Sequence, residues 1–457
     1  MNVSHTHHLQ QQFFKTGATK ELNYRTQSLQ RLKKTLETRE QDVYNALKKD
    51  LGKSEFEAYV TEYNVVMAEL RKFLYKLKRW TKPKKVRAAL LNFPSQARQY
   101  PEPYGNVLVI SPWNYPFQLA LAPVIGAVGA GNTVVLKPSE FAPHTSQLLE
   151  EIIATSFSPE HVTVCKGDAA VAKELTSLKW DYIFFTGSPQ VGKLIYQAAA
   201  QHLTPVTLEL GGKNPCVVHQ SAAIKTAAKR IVWAKFLNAG QTCIAPDYIL
   251  VHESVKQELV KQLQISIAQF YGEQPQSSHD YGRINRKDHL EKLLSYLDGE
   301  QLITGGDYNL EQLYLAPTLL DEPGEESAVM QQEIFGPILP VISYQEQDDI
   351  EKWIHRYEKP LSGYVFATQK SFINWFTKRY SYGGGVINDC IVHFVNDRLP
   401  FGGVGNSGIG AYHGKHSFDC FSHYKSVVHR KNWLDITLKY PPYAGKLKAT
   451  KSFLKRF

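Results

Sequence analysis

Apolar positions recur along this chain at two different periods, and the switch between them marks its organisation. Over residues 19–80 the period is helical. In LQRLKKTLETREQDVYNALKKDL (29–51), apolar side chains return every three or four positions with Glu and Lys between them. A second helical run, EFEAYVTEYNVVMAELRKFLYKLKRW (55–80), gives out just before Lys82-Pro83, because a residue preceding proline is pushed out of the α region. Residues 86–103 read as extended, proline-punctuated chain suited to a hairpin arm. The period then shortens. NVLVI (106–110), TVVLK (133–137), VTVCK (162–166) and YIFF (182–185) are short β-branched runs, separated by helical stretches over 116–130, 143–156, 169–177 and 189–200. Strands alternating with helices predict a doubly wound parallel sheet of the α/β class with right-handed crossovers. A second series follows: VTLEL, CVVHQ, a helix over 221–237, IAPDYILVH, and further alternation to about residue 390. Two such sheets and a small β arm are expected.

Composition adds bounds to this pattern. At roughly 150 residues per domain, 457 residues make about three domains' worth of chain. Thirty glycines and 23 prolines exclude collagen-like and low-complexity chains. The net charge of +10 invites a nucleic-acid partner until its location is considered. Residues 71–87 hold nine basic side chains and no acid, and residues 430–457 hold eight with Asp435 alone against them. What remains carries 36 basic and 42 acidic residues. The excess is confined to two short segments on a mildly acidic body, so no nucleic-acid partner is expected. In the tail, Leu447, Phe453, Leu454 and Phe457 interleave with lysines and Arg456, a pattern suited to weak peripheral contact with anionic lipid.

The five cysteines (165, 216, 243, 390, 420) are scattered and form no C-x-x-C pair, which predicts a reduced, cytoplasmic chain with no metal site. MNVSHTHHLQQQFFKTG lacks the apolar core of a signal peptide and reads as a frayed, solvated terminus. The longest apolar stretch, 117–130, contains Gln118 and Pro123 and is too short to span a bilayer.

Two loops carry candidate chemistry. DYIFFTGSPQVGKLIYQAAA sets glycines between a strand and a helix, where backbone N–H groups at a helix N-terminus bind phosphate. The spacing Gly187-x4-Gly192-Lys193 resembles a P-loop, but Leu194 stands where Ser or Thr would hold Mg²⁺. A P-loop-like nucleotide-binding protein is therefore the alternative reading. NAGQTCIAP (238–246) presents Cys243 in a small, polar turn after an apolar helix. VTLELGGKNP ends a strand with Glu209 among apolar residues, and burial of that kind raises a carboxyl pKa toward that of a general base. SPWNYP puts Asn114 beyond the carboxyl end of a strand, where doubly wound folds bind ligands.

In chain order, WNYP, LKPSE, FTGS, LELGG, GQTC, EIFGP and FGG-x-G-x-SG strongly resemble the aldehyde dehydrogenase superfamily over residues 100–430. The early Cys243, the lack of an extra N-terminal segment and YHGKHSFDCFSHYKS resemble its class 3 branch of fatty and aromatic aldehyde dehydrogenases. The resemblance implies NAD(P)-dependent oxidation of an aldehyde, medium- or long-chain aliphatic or aromatic, to a carboxylic acid by a homodimer. Cys243 matches the nucleophile, Asn114 the oxyanion donor and Glu209 the base for thioester hydrolysis. Lys137 and Glu140 match contacts to the adenosine ribose, and Glu140 would repel a 2′-phosphate, favouring NAD over NADP. Gly187 and Ser188 match the pyrophosphate loop, with Gly192 allowing close helix packing, and Glu333 and Phe335 match the positioners of the nicotinamide end. Tyr115, Trp233 and Phe401 are candidates for an aromatic substrate funnel, while Asn388 and His393 are expected to be structural. The implied organisation is a Rossmann-like cofactor domain (1–85 and 104–208), a catalytic domain (209–395), a bridging or oligomerisation arm (86–103 and 410–430) and a basic tail (431–457).

Overall fold

A computed structural model describes residues 3–455; Arg456 and Phe457 of the basic tail pattern lie outside the described residues, as does the side chain of Phe453. Two sheets organise the chain. The first runs in the order Gly408–Ile409, Val206–Glu209, Tyr182–Thr186, Asn106–Ile110, Thr133–Lys137, Val162–Val164, parallel except for the first strand. The second runs Leu302–Thr304, Thr318–Asp321, Ile338–Tyr344, Tyr248–His252, Pro215–Val218, Ser362–Phe366, Gly384–Ile387, again with only its first strand antiparallel.

Why these segments read as continuous apolar runs is visible in their burial. Asn106–Ile110, Thr133–Lys137 and Tyr182–Thr186 are buried at every position, because helices cover both faces of a parallel sheet. The helix Gln118–Ala130 is likewise buried at every residue, which explains an apolar stretch with no polar face.

The arm is a three-stranded antiparallel sheet of Lys84–Val86, Ser95–Pro103 and Ser422–Arg430. Within 410–430, Lys415–Cys420 is instead a helix whose Phe418 is buried. One expectation is overturned at the N-terminus, where Val3–Lys15 is a helix rather than frayed chain. Gln10 Nε2 donates to Val134 O (2.8 Å) and the His7 ring meets Trp180 edge-on at 4.7 Å. Val3 adds an apolar contact to the cluster under the first sheet, but the polar contacts of Gln10 and His7 have no signature in hydropathy.

Candidate active site

A cavity of about 350 Å³ lies between the sheets, with Cys243, Glu209, Tyr115, Trp233 and Phe401 on its wall. The thiol loop is shaped by backbone that few sequences tolerate. Asn238, Ala239 and Gly240 all have positive φ (53°, 51° and 75°). At Gly240 a Cβ would sit 2.3 Å from Gly336 O, so glycine is required where this loop crosses the EIFGP segment. Asn214 then clamps the loop: its Nδ2 donates to Cys243 O (2.7 Å) and Ala245 O (2.9 Å), and its Oδ1 accepts from Ser362 N (2.8 Å). Tyr364 Oη donates to Ile244 O at 2.5 Å. Asn214, Thr242 and Tyr412 lie inside segments quoted above, yet nothing in the sequence singled them out, and Tyr364 belongs to no quoted motif.

The electrostatics of the wall disfavour charge. Burial, then the Glu333 and Glu209 carboxyls, push the Cys243 thiol up to about 12, while its own N–H and that of Ile244 favour the thiolate. Burial alone holds Glu209 well above the usual carboxylate range, and neither carboxyl oxygen has a hydrogen-bond partner among the described residues. Glu333 is pushed up to about 8, by burial and then by Asp247. Its carboxylate lies against the backbone at Gly211, where a Cβ would be 2.0 Å from Oε2. A buried pair, Lys213 and Asp247 (2.5 Å), anchors that segment, with Asp247 Oδ1 accepting from Ile334 N at 3.0 Å.

Asn114 is 3% exposed and its Nδ2 donates to Gln241 O at 3.0 Å, two residues before the thiol. The neighbouring Tyr115 Oη meets Thr242 Oγ1 at 2.6 Å. Phe401 stacks between His413 (5.0 Å) and His393 (6.0 Å). Asn388 is structural: its amide pairs with both Ala367 N and Ala367 O at 2.9 Å. His393 differs from expectation. Its Nε2 meets Ser362 Oγ at 3.4 Å, but Nδ1 is buried without a partner among the described residues, and burial lowers its pKa to about 4.

On the first sheet, the strand order reverses between Asn106–Ile110 and Tyr182–Thr186, and the carboxyl ends there carry the matched residues. Lys137 Nζ pairs with Glu140 Oε2 at 2.6 Å. Ser188 caps the helix Pro189–Ala200, accepting from Val191 N (3.4 Å), and Gly187 N donates to Glu209 O (3.0 Å). A Cβ on Gly192 would lie 2.7 Å from Leu210 Cδ2, so this helix sits close to the strand that carries Glu209. Phe335, at φ 54°, meets Trp113 edge-on at 5.4 Å, and its carbonyl bonds His289 Nε2 at 2.9 Å. A helix N-terminus for pyrophosphate, a Lys/Glu pair for ribose hydroxyls and the Phe335 ring against Trp113 fit a nicotinamide dinucleotide.

Known proteins resemble this chain along its length. The model of the aldehyde dehydrogenase family matches residues 3–427. The chain is 46% identical over 445 residues to the 4,4'-diaponeurosporen-aldehyde dehydrogenase of Staphylococcus aureus, covering 97% of each. It is 41% identical over 436 residues to the Mus musculus protein named aldehyde dehydrogenase, dimeric NADP-preferring, covering 95% of this chain and 96% of that one. A solved structure, the substrate-bound state of Staphylococcus aureus AldH, superposes with a TM-score of 0.97 at 44% identity, over 99% of this chain and all of the other.

Proposed function

The chain belongs to the aldehyde dehydrogenase family and oxidises aldehydes with NAD or NADP, and within that activity we propose that Cys243 is the nucleophile and Glu209 the base. The observation that carries this assignment is a cavity wall bearing both a thiol and a carboxyl whose oxygens have no protein partner. Both oxygens are buried in this structure, and a turn of the side chain into the cavity would let the carboxyl bind and deprotonate a water.

The Cys243 thiol releases its proton to solvent as Sγ bonds to the aldehyde carbon, and the developing alkoxide is held by Cys243 N–H and the Asn114 amide, whose other N–H is tied to Gln241 O. The bound dinucleotide supplies a two-electron acceptor at its nicotinamide ring. Lys137 and Glu140 would hold its adenosine ribose, Gly187 and Ser188 its pyrophosphate, with Gly192 allowing close helix packing, and Glu333 and Phe335 the nicotinamide end. The oxidised acyl group remains as a thioester on Cys243. Glu209 takes a proton from water, the water oxygen bonds to the acyl carbon, and the thiolate leaves as the carboxylic acid forms.

The apolar, aromatic wall with Tyr115, Trp233 and Phe401 suits medium- or long-chain aliphatic and aromatic aldehydes. Glu140 favours NAD over a 2′-phosphorylated dinucleotide, although one relative is named NADP-preferring. The remaining assignments in this reading are a cofactor domain (1–85 with 104–208), a catalytic domain (209–395), homodimer pairing through the arm, a cytoplasmic location and weak lipid contact by the tail. None of the reported relatives is a P-loop protein.

Cys243→Ser is the direct test. NADH formation with octanal and benzaldehyde should fall to background, and near-wild-type turnover would overturn the assignment. Parallel kcat/KM series with NAD and NADP across aldehyde chain lengths define the substrate.

A further inference from the structure

Behind the cavity wall, Lys53 and Glu62 form an ion pair at 2.6 Å in which both side chains are fully buried. Burying two charges gives little net stability compared with apolar side chains of similar size. The use of the pair's remaining valences is therefore informative. Every further bond it makes goes to a single turn, residues 114–118. Lys53 Nζ donates to Asn114 O (3.3 Å) and sits 3.9 Å above the centre of the Tyr115 ring. Glu62 Oε2 accepts from Phe117 N (2.9 Å) and Gln118 N (3.1 Å). The helix Gln118–Ala130 has no side-chain cap of its own, so a carboxylate brought from 55 residues upstream fills that place at the positive end of the helix. On its other side the same turn reaches the thiol loop, through Asn114 Nδ2 to Gln241 O, Asn238 Nδ2 to Asn114 O (2.8 Å) and Tyr115 Oη to Thr242 Oγ1.

We propose that the buried Lys53–Glu62 pair is the positioning device for Asn114, holding its amide at the place where the alkoxide forms. This rests on the oxyanion role assigned to Asn114 above. Lys53, Glu62 and Asn114 all stand off the cavity wall, which the turn reaches through Tyr115 and Gln118; the pair acts through the turn. The second carboxyl beside Lys53, that of Glu57, is pushed up to about 7 by burial against the pull of the lysine.

The test is a cycle of variants in two backgrounds. Lys53→Met with Glu62→Gln removes both charges together while keeping an acceptor for Phe117 N and Gln118 N. With Asn114 present, kcat should fall roughly 10- to 100-fold, as for a misplaced oxyanion donor, with KM for the dinucleotide unchanged. In an Asn114→Ala background the same pair of changes should cost nothing further. An equal loss in both backgrounds, or an unchanged kcat in the folded double variant, would overturn the proposal. If the double variant fails to fold, Glu62→Asp keeps both charges and draws the carboxylate back from the turn. It should lower kcat with Asn114 present and leave it unchanged in the Asn114→Ala background. An unchanged kcat with Asn114 present overturns the proposal there too. Full activity in Asn114→Ala alone would remove the oxyanion role of Asn114, and the proposal with it, whatever the pair variants do.

Discussion

At the scale of single residues, the decisive feature is how little surrounds Glu209. Its raised pKa has one cause, burial. Activity limited by its ionisation should therefore rise with pH above the usual carboxylate range, as the neutral acid becomes the base. Glu209→Gln should remove that rise, lower kcat by roughly 10²- to 10⁴-fold, and leave acyl-enzyme detectable by mass spectrometry under turnover. Absence of the adduct would count against the hydrolytic role. The apolar neighbours of Glu209 made its burial legible in the sequence. That both oxygens stay unpartnered was not, because the residues that fail to reach it come from several distant segments.

At the scale of elements, the thiol loop shows what a motif conceals. GQTC is readable in the sequence, but the reason for its glycine is the crossing with residues 333–337. Gly240→Ala would place a Cβ against Gly336 O at a φ of 75°. It should destabilise the protein by about 1–3 kcal/mol, read as a lower midpoint in urea, and slow turnover more than it changes dinucleotide binding. The strands and most helices followed from periodicity, since a parallel sheet buries both faces and leaves an unbroken apolar run. The helix predicted over 221–237 is Ile224–Phe236 and ends in left-handed backbone. The N-terminal helix was missed because its docking relies largely on polar residues such as Gln10 and His7, with Val3 and Phe13 too few to set a helical period.

At the scale of the whole molecule, burial of histidines links stability to pH. Burial lowers His161 and His413 to about 3 and His393 to about 4, whereas in the unfolded chain each titrates near 6.5. Below that value the unfolded state binds more protons, so stability falls with falling pH, by about 1.4 kcal/mol per unit for each imidazole. Urea midpoints measured from pH 7 to pH 4.5 should decline accordingly; a flat profile would contradict neutral burial of these rings. The charge excess also finds its place at this scale. The strand Lys84–Val86 closes one basic run and Ser422–Arg430 leads into the other, and both pair with Ser95–Pro103. The arm thus brings together two segments that are more than 300 residues apart in the chain. Deleting residues 446–457 should weaken co-sedimentation with anionic liposomes, and unchanged binding would exclude a lipid role for the tail. By itself the sequence determined the α/β class, the two series of strands and the family, and it supplied the candidate thiol, carboxyl and dinucleotide loop proposed above, because each is written in local periodicity or a short motif. Only the tertiary structure decided which groups share one cavity, which carboxyl stays without partners, and that a buried lysine and glutamate direct their bonds to the turn of Asn114. Those are properties of desolvation and of contacts between distant segments, and neither leaves a local pattern in the chain.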